Sequence, residues 1–194
     1  MTPVTAEALE RRRSRTRDEI LDAAWELCRE QGLTQLSLRE LAARVGMRAP
    51  SLYSYFDSKD AIYDAMFAQG QEALVEAMAA LPRDDVTRDD LKAGARMFFD
   101  FCTQDPVRYQ LLFQRVLPGF VPSPASYALA VEVLDDLHRR LRSLGVVDPR
   151  HIDLWTALVT GLTDQQISND PGGDRWSHLL EEAVDMFCDH AGVA

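Results

Sequence analysis

Ser37-Leu38-Arg39-Glu40-Leu41-Ala42-Ala43-Arg44-Val45-Gly46-Met47-Arg48-Ala49-Pro50-Ser51-Leu52-Tyr53-Ser54-Tyr55-Phe56 reads as two short helices on either side of a tight turn. Ser37 and Glu40 have the spacing of a capping box, in which the hydroxyl and the carboxylate each satisfy an orphan amide. The helix they open is expected to end near Val45, where Gly46 can take the left-handed conformation that stops a helix. The next helix is expected to start at Pro50, whose missing N–H is not needed in a first turn, and to last about two turns. So short a helix is unstable alone and must be held by its neighbours. Leu52 and Phe56, four residues apart, are expected to pack on Leu38, Leu41 and Val45. An ordinary corner between two helices of a bundle has this geometry too. The remaining side chains favour a different use. Arg48, Ala49, Ser51, Tyr53 and Tyr55 lie on the other faces, and small or hydrogen-bonding groups at a helix N-terminus let it enter a DNA major groove without steric block.

Working outward, the hydrophobic pattern is helical throughout, and no stretch has the alternation of a strand, so the fold class is all-α. Residues 1–13 read as a mobile arm. The first helix is expected from Ser14 to Gln31, with Ile20, Leu21, Ala24, Leu27 and Cys28 facing inward and Gly32 as its stop. Beyond the short pair, helices are expected over Lys59–Leu81, Arg88–Thr103, Pro106–Val116 and Pro124–Leu144. Another lies between Asp148-Pro149 and Asp170-Pro171, and the last follows Asp174 and runs to His190. Pro118–Pro124, with three prolines and a glycine, is the clearest loop. The break at Asp57-Ser58 divides the chain into an N-terminal three-helix domain, 1–58, and a larger helical domain, 59–194.

The chain has 194 residues and a net charge of −10, which looks wrong for a nucleic-acid binder. The average hides an asymmetry. Residues 1–59 carry ten basic against nine acidic side chains, and residues 60–194 carry eleven against twenty-two. Attraction to phosphate is screened beyond about 8 Å at physiological salt, so the sign of the docking face outweighs the total. No apolar run is long enough to span a bilayer and the N-terminus lacks a signal-peptide pattern, so no membrane partner and a cytoplasmic location are expected. Cys28, Cys102 and Cys188 are odd in number and widely spaced, which argues against disulfides or zinc and for three small core residues. The chain has no Glu-x-x-His pairing, no phosphate-binding glycine loop and no Gly-x-Ser-x-Gly elbow, and its four histidines are dispersed. No enzyme activity, catalytic residue, metal or cofactor is expected.

The segment Gly46–Lys59 resembles the recognition segment of the TetR family of bacterial regulators: a glycine after the second helix, a Leu52-Tyr53 pair, an aromatic followed by Phe56, and Ser58-Lys59 opening the fourth helix. Ile20-Leu21-Asp22-Ala23-Ala24, Gly32 and Ser37–Ala42 extend the likeness, so that it spans about Thr16 to Ile62. Met47-Arg48 and Pro50 depart from that family's commoner residues, which concerns the bases read and not whether DNA is bound. The resemblance implies that Arg48, Ala49 and Ser51 touch base edges, that Tyr53, Tyr55 and Lys59 touch phosphates, and that Ser37 and Arg39 lie near the backbone. Arg48 could offer a bidentate fork to guanine and Ala49 an apolar contact to a thymine methyl. Arg11, Arg12, Arg13, Arg15 and Arg17 read either as a solvated tail or as an arm along phosphates or in the minor groove.

For the larger domain, the resemblance implies a homodimer built on the last two helices and a pocket for a small effector. Trp155, Leu158, Leu162, Leu180, Val184 and Phe187 are the interface candidates; internal core is the other use of such stripes. A dimer is expected on separate grounds, since one short recognition helix reads too few base pairs for genomic specificity. Met66, Met97, Phe98, Phe101, Phe113 and Phe120 are the pocket candidates, with a packed core as the plainer reading. The sequence thus points to a DNA-binding regulator, a repressor released from a palindromic operator by an apolar ligand. A transcriptional activator and an architectural DNA-binding protein without effector are the alternatives.

Overall fold

The computed structural model describes residues 6–193. Among them the α-helices are α1 (Ala6–Gln31), α2 (Leu38–Arg44), α3 (Ala49–Leu52), α4 (Lys59–Met78), α5 (Arg88–Gln104), α6 (Pro106–Phe113), α7 (Pro124–Ser143), α8 (Pro149–Asn169) and α9 (Leu180–Ala191), with single 3₁₀ turns at Leu33–Gln35 and Ser177–Leu179. No strand forms among the described residues. The all-α expectation holds, and so does a helical body larger than the N-terminal head.

Several expected boundaries change: α4 ends at Met78, α6 ends at Phe113 and α9 starts at Leu180, and the changes that matter most are at α1 and α3. The arm expected over 1–13 is helical from Ala6 onward, continuous with α1, and residues 1–5 lie outside the described residues. Exposed pairs Glu7–Arg11 (3.8 Å) and Arg15–Glu19 (3.7 Å) sit at helical spacing, and Arg13 donates to the Ser54 carbonyl (3.0 Å). Helix α3 starts at Ala49, one residue before the proline, and lasts a single turn instead of two. Its exit is a tight turn, with Ser54 N–H donating to Ser51 O, and Tyr55 and Phe56 N–H both donating to Leu52 O.

The chain forms two compact units, and they do not part at residue 58. The first comprises residues up to Gln69 together with Gln110–Ser126; the second comprises Gly70–Tyr109 and Tyr127–Ala194. The first part of α4 belongs to the head because it is bonded into it. Trp25 Nε1 donates to Gln69 Oε1 (2.8 Å), and the Tyr63 hydroxyl donates to the Leu33 carbonyl. Asp64 holds the later segment: it accepts from Ser123 N–H (2.6 Å) and from the hydroxyls of Ser123 and Ser126 (2.9 Å each). Tyr63, Met66 and Phe67 are buried, as are Ile20, Ala24, Leu27 and Cys28 of α1.

In the second unit α5 packs on both α8 and α9. The core joins Leu91, Ala95 and Phe99 of α5, Leu141 of α7, Trp155 and Val159 of α8, and Leu180, Val184 and Phe187 of α9. Trp155 and Phe187 meet edge to face with ring centroids 5.1 Å apart, a favoured aromatic geometry. A full capping box starts α5: Asp90 N–H donates to Thr87 Oγ1 and Thr87 N–H donates to Asp90 Oδ2. Asp136 and Arg140 of α7 form a buried pair, and Arg140 also donates to the Pro82 carbonyl. Buried positions of 0% exposure raise the thiols: Cys28 to about 11 and Cys102 to about 12, burial being the larger cause for both. The cysteines are core residues.

Candidate nucleic-acid interface

The head presents α3 by three devices, each traceable to particular residues. Ser37 caps α2, its hydroxyl accepting from Glu40 N–H (3.4 Å). The second half of the expected capping box is replaced: the Glu40 carboxylate instead accepts from Gln31 Nε2 (2.7 Å), tying α2 to the end of α1. Arg44 strengthens that tie with a bidentate pair to Glu30, both contacts at 2.7 Å. The same contact lowers the Glu30 carboxyl and raises the Arg44 guanidinium from their ordinary values.

The turn comes next. Gly46 has φ +68°, and its N–H donates to Ala43 O while Met47 N–H donates to Ala42 O (2.7 Å). These two bonds make a Schellman ending, which satisfies carbonyls that the end of α2 would leave without donors. A side chain at Gly46 would meet open space, so the demand for glycine comes from the backbone angle alone.

Burial then sets the face of α3. Leu52 and Phe56 are buried together with Leu41 and Ala42, while Leu38 and Val45 are half-buried. Arg48, the N-cap residue, is exposed, as are Pro50 and Ser51, and Tyr53 is 55% exposed; Ala49 and Tyr55 are half-buried. Arg39 is exposed on the first turn of α2 and Ser37 is half-buried at its cap. Arg48, Ala49 and Ser51 are thus gathered at one helix N-terminus, where backbone N–H groups favour anions.

Lys59, at the start of α4, lies less freely than expected. It is half-buried, with Nζ 3.5 Å from the Thr34 carbonyl and 5.4 Å from the Tyr63 ring centroid. The arginine tract also changes its reading. Arg17 donates to the Tyr55 carbonyl (2.5 Å) and stands 4.2 Å over the Phe56 ring, so Arg13 and Arg17 contact the recognition segment itself. Nothing in spacing or composition announced that contact, because it joins residues about forty positions apart.

The other candidates divide between the units. Met66, Phe113 and Phe120 belong to the first and Met97, Phe98 and Phe101 to the second. Met66 is fully buried; Phe120 meets Tyr63 edge to face at 5.8 Å. On α5, Phe98 packs against the core and the Arg108 guanidinium covers Phe101 at 3.7 Å.

Of the interface candidates, Trp155, Leu180, Val184 and Phe187 are corrected to core. They are at most 5% exposed and pack on one another and on α5, so no partner can reach them on the folded subunit. Leu158 and Leu162 are half-buried at the edge of that core. Helical spacing alone carries no signal for which side of the stripe turns inward. The outer faces of α8 and α9 carry different residues: Leu154 (49% exposed), Ala157 and Gly161 on α8, and Met186 (65%) on α9, with exposed Leu179 in the turn before it.

Among the described residues no group of three or more metal-ligating side chains forms, and no helix is long and apolar enough to cross a membrane.

Residues 20–66, which include the whole helix-turn-helix, match the family described as bacterial regulatory proteins, tetR family. The tetracycline repressor protein class A from transposon 1721 of Escherichia coli is 38% identical over 192 residues, 89% of this chain and 81% of that protein. The HTH-type transcriptional activator FasR of Mycolicibacterium smegmatis is 33% identical over 128 residues, 64% of this chain; the match spans only 57% of that relative's length. The solved structure of SCO4313 shares the fold, with a TM-score of 0.77 at 21% identity over 93% of this chain and 98% of that one. Helix order, recognition segment and near full-length likeness agree: the chain belongs to the tetR family of bacterial regulatory proteins.

Proposed function

We propose that the chain is a sequence-specific DNA-binding transcriptional regulator, a cytoplasmic repressor that acts as a homodimer on a palindromic operator and leaves it on binding a small apolar ligand. The observation that carries this reading is the outward face of α3, with Arg48, Ser51 and Tyr53 exposed while Leu52 and Phe56 anchor the helix from within. Arg48 reads a base, with Ala49 and Ser51 beside it. Tyr53, Tyr55 and Lys59 hold phosphates, and Ser37 and Arg39 approach the backbone from α2. Lys59 must leave a long contact with Thr34 to do so, at small cost. Resemblance to a named repressor over most of the chain supports repression, and the likeness to a named activator keeps activation as the second reading.

The outer faces of α8 and α9 support the dimer. Leu154, Ala157, Leu158 and Gly161 recur at helical spacing, and Gly161 stands mid-helix with open space around its Cα. Glycine inside a helix costs about 1 kcal/mol relative to alanine. Close approach of a partner helix accounts for it. Two heads on a two-fold axis then require half-sites about one helical turn, or a multiple, apart. An apolar effector contacts Met97, Phe98 and Phe101 of α5.

Selection of bound sequences from random DNA, followed by footprinting, tests the reading. One protected palindrome is expected; uniform coating would instead mark an architectural protein. Arg48→Ala should lose about 1–3 kcal/mol per half-site at one operator position. Equal loss on every sequence would reduce Arg48 to a phosphate contact. A promoter fusion distinguishes repression from activation. Thermal-shift screening of apolar compounds, with operator titration of any hit, tests release, and Phe101→Ala should blunt it.

A further inference from the structure

We propose that Arg13 and Arg17 are positioning residues that hold the recognition segment from behind, an inference that rests on the DNA-reading role of α3. Because α1 is helical back to Ala6, these two arginines lie one turn apart on the same face. Their guanidiniums take successive carbonyls, Arg13 that of Ser54 (3.0 Å) and Arg17 that of Tyr55 (2.5 Å), and Arg17 also covers the Phe56 ring at 4.2 Å. The clamp therefore touches three consecutive residues.

The need for it follows from the length of α3. One turn cannot hold its own direction. Leu52 and Phe56 fix how deep the segment sits, but two side chains on one face leave it free to rock about the line between them. Carbonyls just beyond the end of a helix lack intrahelical donors and carry partial negative charge. Two cationic donors there satisfy them and stop the rocking, which fixes where Arg48, Ser51 and Tyr53 point. The other arginines serve differently. Arg11 and Arg15 lie roughly 200° around the helix from Arg13 and Arg17, and pair with Glu7 and Glu19 at the surface.

The test uses the full chain, Arg17→Gln and Arg13→Gln, with affinity for the selected operator and for random DNA measured across a salt series. Arg17→Gln should lose operator affinity about tenfold per head, while random-DNA affinity and the salt slope stay unchanged. Arg13→Gln should lose less, its side chain being exposed. Hydrogen exchange at the Tyr55 and Phe56 amides should quicken about tenfold in Arg17→Gln at a temperature where both proteins are folded. Arg17→Lys keeps the cation without the planar stack and should restore only part of the loss. A salt slope reduced by about one per half-site, with equal loss on both DNAs, would make these arginines phosphate contacts and overturn the proposal. Unchanged affinity with a lower melting temperature would overturn it too, leaving a role in fold stability alone. Failure of the wild type to select any palindrome would sink the DNA-reading role, and the exchange measurement would still judge the clamp.

Discussion

Helices α3 and α8 each bury one face and expose another, and the exposed faces differ in kind. Outward from α3 stand Arg48, Pro50, Ser51 and Tyr53, a surface content in water or against phosphate. Outward from α8 stand Leu154, Ala157 and Gly161, which gain nothing from water. The inner faces differ as well. The four-residue α3 is held by its own Leu52 and by a clamp from α1 on the residues that follow it, whereas α8 contributes Trp155 and Val159 to a core shared with α5, α7 and α9. An exposed face therefore has to be read with its chemistry: polar on a borrowed scaffold suits a charged ligand, and small and apolar on a self-sufficient one suits a second helix.

The comparison breaks most easily at Leu52. Leu52→Ala removes the main inner contact of α3 and should cost about 2–5 kcal/mol of stability in the head. Denaturant unfolding of a single-tryptophan background that keeps only the buried Trp25 reports on the first unit, and of one that keeps only Trp155 on the second. The Trp25 transition should move and the Trp155 transition should not; a loss below about 1 kcal/mol would mean that α3 is held by something else.

The two sides of the last helices separate next. Leu154→Glu should give monomers by light scattering while changing the stability of the isolated subunit by less than about 0.5 kcal/mol. Phe187→Glu should unfold the second unit, because its ring packs on Trp155 inside the core. Intact dimers from Leu154→Glu would remove α8 from the interface.

Two glycines sharpen the contrast at smaller scale. Gly46→Ala forces a side chain into the left-handed region and should lower head stability by about 1–2 kcal/mol. Gly161→Ala meets no neighbour in the subunit and should stabilise the monomer by up to about 1 kcal/mol, while weakening association in sedimentation. Tighter association would refute close helix approach there.

The smallest effect is a pH dependence at the start of α8. The Arg150 side chain, and then its backbone N–H, hold the Asp148 carboxyl down at about 2 against an ordinary 3.8. A lowered carboxyl stabilises the fold fully above its unfolded value and loses that contribution as pH falls through the folded one. Wild type should thus exceed Asp148→Asn in melting temperature at neutral pH, and the gap should close between about pH 4 and pH 2. A gap as wide at pH 2 as at neutral pH would show that the carboxylate charge is not its source.

How much was legible in the residues differs between these regions, for physical reasons. Helix class, the turn at Gly46 and the inward pair Leu52–Phe56 follow from local rules, since periodicity, a backbone angle and an i, i+4 spacing are all properties of neighbours in the chain. The motif around α3 was legible for the same reason. The capping box of Thr87 and Asp90 is equally local, while the one expected at Ser37 is half displaced by Gln31, a competitor that spacing does not show.

Contacts across the chain were not legible. Which side of an apolar stripe becomes core depends on the neighbour it meets, and Trp155, Leu180, Val184 and Phe187 turn inward because α5 lies against both α8 and α9. Helical spacing made those helices amphipathic; packing chose the buried face. The arginine tract is the sharpest instance. Five guanidiniums in seven positions announce positive charge, but the carbonyls of Ser54 and Tyr55, brought within reach by folding, direct Arg13 and Arg17 to the protein. Charge and periodicity are written along the chain, whereas the partner of a long side chain is set by whatever the fold carries to its tip.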